Sequence, residues 1–92
     1  MALSLPQPCL CLVTNRRVGG QRTLVERIDE AVAGGVDLVQ LREKDLPGEE
    51  LLELAWAVKR AIAGRALLII NERVDVAVAV AADGVQLGEA AL

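Results

Sequence analysis

Four short aliphatic runs, separated by stretches of helical periodicity, constrain this chain more than any other feature in it. The runs are Cys9 to Val13, Val36 to Arg42, Ala66 to Ile70 and Val85-Gln86-Leu87. The first and third are continuous apolar stretches, which predict buried strands; the second alternates as a strand does, and the fourth, after Asp83-Gly84, reads as a short strand. Between the first and second runs, Thr23 and Glu26 have capping-box spacing, and Leu24, Val25, Ile28, Ala31 and Val32 recur at helical intervals up to Gly34 and Gly35. Between the second and third, Pro47 suits a first helical turn and Glu49 and Glu50 complement its dipole. Leu51, Leu54, Ala55, Val58 and Ile62 then form a stripe that ends near Gly64.

The third connection is ambiguous by periodicity. Val74, Val76, Val78 and Val80 alternate as in a strand, whereas Val74, Ala77, Val78 and Ala81 share one side of a helix. Parallel strands need a crossover, so a helix over Arg73 to Ala82 is expected. Leu3 to Pro8 reads as an irregular lead-in, with Pro6 and Pro8 excluding helix, and Thr14 to Gln21 as a flexible basic loop. The order is then β-α-β-α-β-α-β, an α/β repeat that builds a parallel sheet with right-handed crossovers, in a single domain over residues 1–92.

An open doubly wound sheet and a barrel both use this repeat. The turn after the first strand, Thr14 to Gly20, lacks the G-x-G-x-x-G of nucleotide-binding open sheets. A barrel places its functional residues at the C-terminal ends of several strands. The polar residues fall there: Thr14 and Asn15 after the first strand, Gln40, Arg42 and Lys44 on the second, Asn71 and Glu72 after the third, Gln86 and Glu89 at the fourth. Alternate residues of a strand share a face, so Gln40, Arg42 and Lys44 project together. An amide, a guanidinium and an ammonium in a row could grip an anion such as pyrophosphate. On residue types alone, a solvated strand end is the competing reading.

Composition removes other classes of function. A chain that is 53% hydrophobic and 25% charged reads as globular and soluble, and Trp56 is its one aromatic residue, so the core must be aliphatic. A net charge of -3, without aromatic and basic interleaving, argues against a nucleic-acid partner. No apolar run suits a membrane span and Met1 to Pro8 does not resemble a secretion signal, so a cytoplasmic protein is expected. There is no histidine, and Cys9 and Cys11, the only cysteines, cannot complete a zinc site. On a strand they are expected to be a pair of small buried hydrophobes.

Three ordered segments carry a family resemblance: Gln40-Leu41-Arg42-Glu43-Lys44, Leu68 to Ala77 with Asn71-Glu72-Arg73 at its centre, and Ala82 to Gly88 with Gln86-Leu87-Gly88 at its end. With them the chain resembles the thiamine-phosphate synthase and TenI superfamily from its first strand to Leu92. The resemblance implies half of a TIM (β/α)8 barrel. It also implies a role in thiamine biosynthesis: either transferase chemistry, joining a hydroxymethylpyrimidine pyrophosphate to a thiazole phosphate, or thiazole tautomerisation of the TenI type. The implied partner is a small phosphorylated heterocycle. By resemblance, Gln40, Arg42 and Lys44 match positions that hold the pyrophosphate, and Asn71 matches one that helps hold the pyrimidine. Thr14 and Gln86 are further candidates for the pocket, and no residue is assigned as catalytic.

Synthases typically carry two aspartates that serve magnesium. Here Glu72 stands at the first of those positions, Ala91 at the second, and Gln86 where a histidine is usual. Glutamate could still bind a hard cation and alanine could not, so magnesium is implied only for a synthase-type chain, with Glu72 as its remaining ligand. Gln86-Leu87-Gly88-Glu89 looks more like the TenI branch, whose proton transfer needs no metal. Glu72 could alternatively be an exposed charge pairing with Arg73 or Arg42. An eight-unit barrel takes roughly 200 to 250 residues. Four strands would leave the inner face and both edges bare, so self-association or a missing C-terminal half is expected. The alternative to an enzyme is a non-catalytic, phosphate-binding barrel fragment.

Overall fold

The structure is a computed structural model in which residues 9–18 and 23–87 are described. The elements follow the expected order: β1 Cys11–Val13, α1 Leu24–Ala33, β2 Leu38–Leu41, α2 Gly48–Ile62, β3 Leu67–Asn71, α3 Val74–Ala79 and β4 Gly84–Gln86. All strand pairings are parallel, in the spatial order β1-β2-β3-β4. The helices contribute to one apolar core with Leu12, Val39, Leu41, Leu68, Ile70 and Val85, which are alternate residues of the strands. The helices therefore cover one face of the sheet. Sequential strand order with helices on one side is the curvature of a barrel wall; a doubly wound sheet reverses its order and covers both faces.

Local chemistry explains the boundaries. Thr23 Oγ1 accepts from the Glu26 N–H at 3.1 Å, as the capping spacing predicts. The end of α1 is a Schellman closure: Val36 N–H donates to Ala31 O and Gly35 N–H to Val32 O, with Gly35 at φ +113°. That closure holds Val36, so β2 starts later than the sequence predicts. Pro47 sits one position before α2 rather than in its first turn, and its carbonyl accepts from Leu51 N–H. The helix reading of the third connection holds, but its inward stripe is Val76, Ala77 and Val80. Val74 and Val78, expected on the packed side, are exposed, because Val76, Ala77 and Val80 take the face that packs on the core.

The expectation of buried cysteines is overturned. Cys9 and Cys11 are both exposed. Cys9 precedes β1, and Cys11 lies on the sheet face opposite the helices, where no second layer covers it; Leu12 takes the core position between Cys11 and Val13. Among the described residues, no helix is long and apolar enough to cross a membrane. The predicted lead-in over Leu3 to Pro8, the glycines Gly19 and Gly20, and Glu89 and Ala91 lie outside the described residues.

Candidate functional site

The pairing register assembles the mouth of the sheet. Gln40 is level with Val13 and Ile69, and Asn71 with Gln86. Arg42, two residues beyond Gln40, therefore rises to the height of Asn71, two beyond Ile69. One open concavity of about 460 Å³ is lined by Gln40, Arg42, Lys44, Asn71, Glu72, Gln86 and Leu87, a volume within the range of small-molecule sites. Gln40 and Asn71 are half-buried, whereas Arg42 and Lys44 are exposed. Of the three residues expected on the second strand, only Gln40 lies within β2; Arg42 and Lys44 follow its end at Leu41, and all three line the same concavity as Asn71.

Thr14 is placed differently. It is 5% exposed, and its hydroxyl donates to Glu43 Oε2 at 2.6 Å while accepting from the Arg42 N–H at 2.9 Å. It is part of the wall rather than a free ligand-facing group. Gln86 is exposed, and its Nε2 makes a long, 3.5 Å contact with Leu87 O.

Sequence reasoning missed Glu43, Asp45 and Arg16, which organise the neighbouring wall. Glu43, 6% exposed, accepts at Oε1 from the Arg16 N–H and Arg16 Nη1. Arg16 also clasps Asp45 with both terminal nitrogens, at 2.6 and 2.7 Å, and Arg17 reaches the same carboxylate. The hydrogen bond from Arg16 holds the Asp45 carboxyl well below the usual carboxylate range, and Asp45 raises the Arg16 guanidinium in return. The signal lay in the alternation: if residues 40, 42 and 44 face the mouth, Glu43 faces the other way and needs partners. The outcome is a segregation of charge. Both acids are taken up by Arg16 and Arg17, and among the described residues the side chains of Arg42 and Lys44 have no anionic partner, so positive charge accumulates at the mouth of a chain whose net charge is negative.

Glu72 stands at the same rim with φ +61°. Arg73 N–H donates to Asn71 O at 2.8 Å across it, a γ-turn, and its own N–H donates to Gln86 O at 2.7 Å. A non-glycine residue in the left-handed region costs about 1–2 kcal/mol, offset here by anchoring on β4. Arg73 pairs with Asp75 rather than with Glu72, and among the described residues Glu72 makes no ion pair. The described residues contain no group of three or more histidine, cysteine or acidic residues suited to a metal. Glu72 is the one carboxylate lining this concavity. One carboxylate suits a magnesium ion whose other ligands are phosphate oxygens and water, but not a metal held by protein alone.

Comparison with known proteins agrees with this architecture. A family model described as thiamine monophosphate synthase matches residues 10–92. The thiamine-phosphate synthase of Azorhizobium caulinodans is 49% identical over 89 residues, covering 92% of this chain and 42% of that protein. That of Moorella thermoacetica is 44% identical over 87 residues, covering 92% and 41%. The solved structure of thiamine phosphate pyrophosphorylase from Pyrococcus furiosus superposes with a TM-score of 0.78 at 39% identity, over 88% of this chain and 39% of that one. The chain thus spans about two fifths of the length of the curated relatives it matches. With a family model matching residues 10–92, relatives near half identical and a shared strand arrangement, the chain belongs to the thiamine monophosphate synthase family.

Proposed function

We propose that this chain forms the pyrophosphate-gripping part of a thiamine-phosphate synthase, acting in the cytoplasm on a phosphorylated pyrimidine. The observation that carries the reading is the pair of cations, Arg42 and Lys44, which among the described residues have no anionic partner and line one concavity with Asn71. Arg42 can clasp two phosphate oxygens with its planar fork, and Lys44 adds a compact point charge. Gln40 and Asn71 provide amides able to orient the heterocycle. As pyrophosphate departs, its charge grows, and cations already fixed at the rim stabilise that charge with little reorganisation. Glu72 would hold a magnesium ion arriving on the pyrophosphate, and that ion supplies further charge neutralisation. The synthase branch is preferred to tautomerisation because the relatives described above carry the synthase name.

A second reading is a phosphate-binding module without catalysis, favoured by Glu72 being the one carboxylate that lines the concavity. Incubation with hydroxymethylpyrimidine pyrophosphate, thiazole phosphate and magnesium, with thiamine phosphate as the measured product, separates the two. Product formation supports the synthase. Pyrophosphate binding without product leaves the binding module, and absence of pyrophosphate binding overturns both.

A further inference from the structure

Beyond the grip itself, the wall behind it has a feature that ordinary sheet geometry does not provide. In a parallel ladder, a residue on one strand bonds two residues of its neighbour that lie two apart. Thr14 N–H donates to Gln40 O at 3.0 Å in that way. The next bond in the ladder would run from the Arg42 N–H to the Thr14 carbonyl. Instead, Arg42 N–H donates to Thr14 Oγ1 at 2.9 Å. The hydroxyl stands in for the carbonyl, so the chain can leave β1 at Thr14 while β2 stays tethered for one more step.

A hydroxyl accepting from an N–H still has a proton to place, and Thr14 is buried. Glu43 Oε2 receives it at 2.6 Å, and Glu43 Oε1 is held in turn by the backbone and guanidinium of Arg16. Glu43 follows Arg42 directly and points to the opposite side of the strand. Its anchoring therefore fixes the backbone on both sides of the Arg42 Cα.

Resting on the proposed function, we propose that Thr14 and Glu43 are positioning residues of the anion site, which set the direction in which Arg42 and Lys44 present their charges to a pyrophosphate. Neither touches the ligand; both act through the Arg42 backbone. An unanchored strand end would let both cations sample solvent and lose the shared geometry that bidentate recognition requires.

The test uses the full chain, with inorganic pyrophosphate as titrant in calorimetry and the thermal midpoint measured beside it. Thr14→Val removes the hydroxyl at nearly constant shape, and Thr14→Ser retains it. Thr14→Val is expected to bind roughly tenfold more weakly, the low end of what outer partners of a held ligand contribute, while Thr14→Ser binds as the unmodified chain does. Glu43→Gln, whose amide cannot accept from both Thr14 and Arg16, follows Thr14→Val; if Thr14→Val fails to melt cooperatively, Glu43→Gln decides. Weakening in Thr14→Ser equal to that in Thr14→Val shows that retaining the hydroxyl does not preserve binding, and overturns the inference. Undiminished binding in Thr14→Val, with binding lost in Arg42→Ala, overturns the inference and leaves the anion site standing. Undiminished binding in Arg42→Ala removes the anion site itself.

Discussion

Arg42→Ala separates a binding residue from a structural one. Its side chain is exposed, and among the described residues the hydrogen bond that Arg42 makes beyond the sheet ladder uses its backbone N–H. Alanine keeps that N–H, so the fold should lose little: about 0.5 kcal/mol at most, as for surface changes away from special contacts, or under about 4 °C in melting temperature for a domain of this size. Pyrophosphate binding should suffer far more. A guanidinium fork on two phosphate oxygens makes two charge-assisted hydrogen bonds, each about 1.5–3 kcal/mol. At an open rim the lower figure applies, so about 3 kcal/mol is lost, roughly a hundredfold in Kd. Calorimetric titration with pyrophosphate, paired with a thermal melt followed by circular dichroism, reads both quantities. Unchanged affinity refutes the placement of Arg42 in the site. A melting temperature lowered by 10 °C or more, on the order of 2 kcal/mol, refutes the reasoning in the other direction, because the side chain would then be holding the fold.

Ile70→Ala opens a cavity at a fully buried position of β3; a loss of about 2–5 kcal/mol is expected, and a melting temperature shift below about 4 °C would place Ile70 outside the core. For Asp45, the depressed carboxyl makes the ion pair with Arg16 a source of stability that is present above the ordinary carboxylate range, near pH ~4, and is lost as pH falls through the folded-state value. Melting temperature should therefore decline on acidification, modestly because both partners face solvent. Asp45→Asn should be less stable at neutral pH with a flatter acid dependence, and parallel curves for the two proteins would show that the pair contributes nothing. The sheet face opposite the helices exposes Cys11 and Val13, and the chain purified alone is expected to sediment as more than a monomer at micromolar concentration. A cooperative melt from a monomer at that concentration would contradict this.

Much of the architecture was legible because each level of the sequence agreed with the next. Aliphatic runs, the Thr23 cap, the Gly34-Gly35 stop and the crossover requirement all indicate one β-α repeat, and Gln40, Arg42, Lys44 and Asn71 follow once strand ends are placed on a common rim. What escaped depended on relations between segments. The inward stripe of α3 could not be read because valines occupy every second position from Val74 to Val80 and alanines fill the gaps after Asp75, so several helix faces look equally apolar. The cysteines were misread because burial on both faces of β1 was assumed, whereas only the helix-covered face is packed. The role of Thr14 was hidden for a different reason. A hydroxyl that replaces a ladder carbonyl leaves no periodic trace, and it becomes visible only when the Arg42 N–H is followed to its acceptor.

The run from Gln40 to Asp45 shows how one alternation can serve binding and stability at once. Odd positions go to structure: Leu41 into the core, Glu43 to Thr14 and Arg16, Asp45 to Arg16 and Arg17. Even positions go to the mouth: Gln40, Arg42 and Lys44. Had the acids faced the mouth, they would have neutralised the cations beside them and left nothing to attract a phosphate. Had they faced a purely apolar wall, their burial as charges would have been prohibitive. The basic loop after β1 resolves both difficulties, since Arg16 and Arg17 satisfy the acids from the far side. The two sets of contacts should also respond differently to ionic strength. Exposed charges are screened over a Debye length of about 8–10 Å near physiological salt, so attraction between the rim and a phosphate weakens as salt rises. The buried carboxylate of Glu43, enclosed by hydrogen bonds, keeps its partners, and the geometry that presents Arg42 persists under conditions that diminish its pull.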